Sequence, residues 1–155
     1  MTDMLPEGFT PLRLSMGFLD ANGPLYWRWA GDRFLLGFRV EARHCNPGSV
    51  CHGGMLATFA DMLLPIAARF QSKADMGFLP TVNLSLDFLA PAPLGAWVEG
   101  RAEGLKTTRN LLFSQGTVTA DGAICLRASG IFKITSPDSR KSGDFSRDAL
   151  SGAKG

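Results

Sequence analysis

The sequence predicts an α+β domain in which one antiparallel sheet of about six strands packs on a single long helix. Three observations predict it. Apolar and polar residues alternate with period two through much of the chain. One stretch, 53–70, changes to the 3.6-residue period of a helix. The strand-like stretches that follow are joined by short links, and consecutive strands so joined pair antiparallel.

The elements follow in order. Leu25, Trp27 and Trp29 alternate with Tyr26 and Arg28, and Phe34, Leu36, Phe38 and Val40 continue the period beyond Gly31-Asp32. This is a strand hairpin. In 53–70, Leu56, Phe59, Ala60, Leu63, Ala67 and Phe70 form one helical stripe, and Asp61 lies off it among Ala57, Thr58, Pro65 and Ala68. Pro65 lacks an N–H and is expected to kink or shorten the helix. Thr81 to Phe88 then sets Val82, Leu84, Leu86 and Phe88 against Thr81, Asn83, Ser85 and Asp87. Residues 90–95 read as a turn, and strands are expected at 96–104 and 110–120, joined through Lys106-Thr107-Thr108-Arg109. Asp121-Gly122 is a hairpin turn signal. The last strand places Ile124, Leu126, Ala128, Gly130, Phe132 and Ile134 on one face. Residues 1–135 read as one domain, and 136–155 as a polar tail expected to be disordered. One helix cannot cover both faces of such a sheet, so an oligomer is expected on burial grounds.

Composition narrows the function. The chain has 155 residues, 45% hydrophobic and 19% charged, which is a globular balance. The net charge of +2 and the lack of a basic aromatic stripe argue against nucleic acid as a partner. No apolar run approaches about 18 residues, so no membrane span is expected. The first residues lack a basic segment and an apolar core, and three cysteines are not a disulfide framework. A reducing, cytoplasmic location is the expectation.

The chemistry concentrates between His44 and Asp61. A polar loop, His44-Cys45-Asn46-Pro47-Gly48-Ser49-Val50-Cys51-His52, runs into Gly53-Gly54 at a helix start, with one carboxylate two turns along. Free N–H groups at a helix start favour negative charge, and glycine lets a ligand approach that backbone. An oxyanion forming at Gly53-Gly54 and a base or nucleophile at Asp61 suit acyl transfer. His44, Cys45, Cys51 and His52 also invite a metal reading. Their pairs are adjacent, however, and adjacent residues of an extended chain point apart. The spacing matches no zinc finger or ribbon, so no metal is expected. A Cys45–Cys51 disulfide is not expected in a reducing compartment. No serine nucleophile elbow and no phosphate loop is present in the sequence.

Asn46, the His52-Gly53-Gly54 run six residues later and Asp61 nine residues after His52 together resemble the hotdog-fold acyl-CoA thioesterases. The likeness is to the phenylacetate-pathway type within the 4-hydroxybenzoyl-CoA thioesterase superfamily. It extends over about residues 20–134 and includes the stretch from Thr81 to Ala92, with Gly95 after it. The resemblance implies a sheet wrapped round a central helix, with subunits paired into dimers and often tetramers. It implies that Gly53 gives its N–H to the thioester carbonyl, and that Asp61 of the partner subunit attacks that carbonyl or activates water. It further implies that Asn46 orients the water or holds the thioester, that His52 shapes the loop, and that the Thr81 hydroxyl helps place the water. Gly54 belongs to the same substrate-facing backbone. No family motif settles the CoA contacts; Lys106 and Arg109 are the expected phosphate partners because cations there meet a polyanion. No cofactor is expected beyond the CoA of the substrate. Phe59, Phe70, Phe78 and Phe88 would admit aromatic or aliphatic acyl groups. The alternatives are a non-catalytic acyl-CoA binding or sensing module on the same fold, and a hotdog dehydratase or hydratase using His52.

Overall fold

The computed structural model describes residues 4–13 and 17–136. The expected tail therefore lies outside the described residues, except for Ser136. Seven antiparallel strands form one sheet in the order β1-β2-β3-β5-β6-β7-β4. They are β1 (Thr10–Pro11), β2 (Tyr26–Ala30), β3 (Arg33–Arg39), β4 (Thr81–Phe88), β5 (Trp97–Thr107), β6 (Leu111–Ala120) and β7 (Ala123–Lys133). Six are the expected strands. The seventh, β1, is a two-residue addition on the edge of β2. Two further pieces carried no period long enough to read: α1 (Gly17–Asn22) and a 3-10 turn at Ala42–His44.

The long helix α2 (Gly53–Gln71) packs on the inner face of the sheet. Its stripe is the predicted one, with Phe59, Ala60, Leu63 and Ala67 fully buried. They meet Phe34, Leu36 and Phe38 of β3, Val98 of β5, Leu112 and Val118 of β6, and Leu126 and Phe132 of β7. Gly100 lets the helix come this close: a Cβ there would stand 2.4 Å from a Leu63 methyl and 2.9 Å from the Phe59 ring. Pro65 does not end the helix, which continues to Gln71. A proline inside a helix removes one N–H, and here the packing of both flanking turns outweighs that loss.

The outer face is covered in part by the N-terminal segment. Phe9 sits edge-on to Trp97, with Leu35 completing a second, small cluster. Leu35 is buried for that reason, although the alternation places it on the face away from α2.

Three details depart from the alternation. Ile124 is half exposed while Cys125 is fully buried, the reverse of the expected phase. The cause is a register shift opposite Val118 and Thr119, since a bulge turns the residues beyond it over. On β4, Leu84 and Leu86 are half-buried while Val82 and Phe88 are exposed, because among the described residues β4 is an edge strand paired only to β7. Finally, β5 runs on to Thr107, so Lys106 is a strand residue facing Phe113, and only 108–110 turn.

Candidate active site

The loop before α2 is a small hairpin. Cys45 and Cys51 are antiparallel partners. Asn46 N–H donates to the Val50 carbonyl (2.9 Å) and His52 N–H to the His44 carbonyl (2.8 Å). The turn between them is closed by Ser49 N–H to the Asn46 carbonyl (3.0 Å), with Ser49 in the left-handed region at φ 58°. The Asn46 side chain accepts from Gly48 N–H at 2.9 Å. This is the turn-forming use of asparagine, so its Oδ1 is engaged within its own loop.

His52 is the N-cap of α2. Its backbone, at φ −60° and ψ 137°, is extended, and its Nδ1 accepts the Gly54 N–H at 2.8 Å. Met55 and Leu56 N–H both donate to the His52 carbonyl. The first-turn donors are thus taken up, except at Gly53, whose N–H has no partner among the described residues. It stands at the positive end of a nineteen-residue helix. Gly54 belongs to the same turn, but its N–H is spent on the cap.

Phe88, at the end of β4, covers Gly53. A Cβ built on Gly53 would lie 3.4 Å from the ring. The two residues line a cavity of about 340 Å³ with Cys51, Leu56 and Leu89. This neighbour has no local sequence signal, since β4 reaches the helix start only through the sheet.

Asp61, half-buried two turns along α2, accepts a short hydrogen bond from the Thr81 hydroxyl, Oγ1 to Oδ1 2.6 Å. Thr81 opens β4, so the strand carries Thr81 at one end of the helix-facing region and Phe88 at the other. Asp61 also borders a cavity of about 170 Å³ lined by Met62, Pro65, Ile66, Phe78 and Leu79. Of the four phenylalanines considered for an acyl group, Phe78 lines this cavity and Phe88 the other. Phe59 and Phe70 are core residues and reach neither.

Lys106 and Arg109 are exposed. The Ile134 N–H to Asn110 carbonyl bond and the pairing of Thr81 with Phe132 put them at the Thr81 end of the sheet. In the order β5-β6-β7-β4 they stand two to three strand spacings away, roughly 10–14 Å. The structure does not bring them to Gly53.

His44 is buried with both ring nitrogens occupied. Nδ1 accepts the Glu41 N–H at 3.0 Å, and Nε2 faces the Asn22 carbonyl at 2.8 Å. The ring is a structural strut between the 3-10 turn and α1. The thiols of Cys51 and Cys125 are shifted upward by burial, Cys51 to about 12. No helix of the described residues is long and apolar enough to cross a membrane.

Comparison with known proteins identifies the family. The thioesterase superfamily model matches residues 48–125, from the turn before α2 into β7. A Pseudomonas aeruginosa protein named as an esterase is 34% identical over 131 residues, covering 84% of this chain and 97% of its own. Human acyl-coenzyme A thioesterase 13 is 27% identical over 101 residues, 65% of this chain and 71% of its own. The phenylacetic acid degradation protein of Thermus thermophilus shares the fold at TM-score 0.64 and 24% identity, over 77% of this chain and 100% of its own. The chain belongs to the thioesterase superfamily and is a hotdog-fold thioester hydrolase.

Proposed function

We propose that the substrate is an acyl-CoA, cleaved by water to a carboxylic acid and free CoA, at a site shared between two copies of this chain. One observation carries the reading. The unclaimed N–H of Gly53 and the carboxylate of Asp61 stand on the same helix, eight residues apart. At 1.5 Å per residue that is roughly 12 Å along the axis. Reacting groups must approach to about 3 Å, so the two do not serve one carbonyl within one chain. Gly53 of one subunit and Asp61 of a second therefore form one site, and symmetry repeats it. The outer edge of β4, unpaired among the described residues and with Val82 and Phe88 exposed, offers the surface for pairing.

In this site the thioester oxygen accepts from Gly53 N–H as it gains charge, aided by the helix dipole. Asp61 attacks the carbonyl carbon or takes the proton from the water that does. Thr81 holds the carboxylate in place through its 2.6 Å hydrogen bond. His52 acts through structure: it takes the Gly54 N–H and leaves that of Gly53 to the substrate. Asn46 shapes the loop, and its amide nitrogen remains for water or thioester. Lys106 and Arg109, if they serve CoA, reach only its distant phosphates. No metal enters the scheme, because a thioester is already activated. Three free thiols fit a reducing, cytoplasmic setting.

Two measurements test this. Loss of thioester absorbance across short, long and aromatic acyl-CoAs should show turnover. Asp61→Asn and Gly53→Pro proteins, each inactive, should regain about a quarter of wild-type activity when their subunits are exchanged, since half the dimers are mixed and carry one intact site in two. Inactivity across the panel removes the acyl-CoA assignment. Failure to complement in demonstrated mixed dimers removes the shared site.

A further inference from the structure

We propose that Cys45 and Cys51 are a redox pair: a low-molecular-weight disulfide closes them into a cross-strand disulfide that slows thioester hydrolysis. The geometry is that of a hairpin pair. The bonds on either side, Asn46 N–H to Val50 carbonyl and His52 N–H to His44 carbonyl, make Cys45 and Cys51 a non-hydrogen-bonded antiparallel pair. Cα atoms of such pairs stand about 4.5 Å apart with both side chains on one face. A disulfide accepts Cα separations of about 4.4–6.8 Å, so this one forms without moving the backbone far.

Exposure orders the steps. Cys45 is half-buried and Cys51 buried. The Cys45 thiol loses its proton, and the thiolate attacks one sulfur of the small disulfide RSSR. A Cys45–S–S–R bond forms, RS⁻ leaves and takes up a proton. Cys51 then loses its proton and attacks Sγ of Cys45; the bond to SR breaks and the second RSH departs. Two protein thiols are oxidised by two electrons and one disulfide is reduced to two thiols. Cys51 is buried and directly opposite Cys45, so it is the thiol placed to resolve the mixed disulfide rather than to meet the small disulfide first.

Closure acts on the proposed active site, and this half of the inference rests on Gly53 serving as oxyanion donor. Cys51 shares a cavity wall with Gly53 and Phe88. Its Sγ now faces the His52 carbonyl at 3.8 Å, the carbonyl that receives the first two helical N–H groups of α2. Cys45 Sγ faces the Glu41 carbonyl at 3.4 Å. Bonding the sulfurs to each other withdraws both contacts and shifts His52, whose ring and carbonyl set the position of the Gly53 N–H. Displacements well under an ångström at such a donor slow turnover severalfold.

The test treats the full chain with glutathione disulfide, maps the linkage by mass spectrometry of peptides, and follows acyl-CoA loss by absorbance before and after. Expected are a loss of two hydrogens, a 45–51 linkage, a severalfold fall in turnover, and recovery on reduction. Cys45→Ser should keep the basal rate and lose the response. A reduced protein without activity counts against the acyl-CoA reading, while the peptide map still decides the linkage. No linkage, a 51–125 linkage, or a 45–51 linkage with unchanged turnover in an active protein overturns the proposal.

Discussion

Replacing Gly53 by proline removes one hydrogen-bond donor and sets the ring Cδ where that N–H pointed, while leaving the helix start intact. Gly53 is the first residue of α2, where proline is tolerated because that N–H has no helical partner. The residue before a proline must be extended, and His52 already is, at φ −60° and ψ 137°. The added ring carbon at Cβ meets Phe88 at 3.4 Å, an ordinary contact. The fold and melting temperature should therefore change little. If the Gly53 N–H stabilises the oxyanion, its loss should lower kcat by about 10²–10³, or 2.7–4 kcal/mol, with KM less affected. Gly53→Ala adds the same Cβ while keeping the N–H, and should lose far less. The assay is steady-state hydrolysis of an accepted acyl-CoA, with circular dichroism as the control for folding. A folded Gly53→Pro protein with near wild-type kcat would refute the assignment of the donor.

Asp61→Asn should keep the fold and lower turnover by about 10²–10⁴ if the acid is a general base. Thr81→Val deletes a hydrogen bond to a charged acceptor; exposure puts its worth near the lower end of about 1.5–3 kcal/mol, or roughly tenfold in kcat. Because Thr81 acts through Asp61, the double variant should be no slower than Asp61→Asn alone, and multiplied losses would show an independent role. Sedimentation at micromolar concentration should give at least a dimer, whereas a 16.7 kDa species would contradict the two-subunit site. Gly100→Ala should destabilise by about 1–3 kcal/mol and lower the melting temperature by several degrees, because the new methyl meets Leu63 and Phe59 of α2. An unchanged melting temperature would mean that the helix can retreat from β5.

The sequence alone determined the elements that patterning controls. Alternation located β2 to β7 to within a few residues, because a half-buried strand must present every second side chain to the core. The stripe Leu56, Phe59, Ala60, Leu63, Ala67 located α2, and His52-Gly53-Gly54 with Asp61 pointed to acyl transfer. Where local signal and packing disagreed, packing prevailed. Pro65 stays inside α2 because the turns on both sides are anchored in the core. Ile124 and Cys125 exchange faces because a bulge in the β6–β7 pairing is a property of two strands and not of either. Only the tertiary structure could bring Phe88 to Gly53 and Thr81 to Asp61, since 35 and 20 residues of chain separate these pairs and β4 reaches the sheet at its far edge. It also separated residues that the sequence runs together. Gly54 spends its N–H on the cap and Asn46 its Oδ1 on the turn, so that of the two glycine donors the one left free is the N–H of Gly53. The physical reason is common to all these cases: periodicity reports which face of an element is buried, while the identity of the neighbour across a gap is set by how the whole sheet closes on its helix.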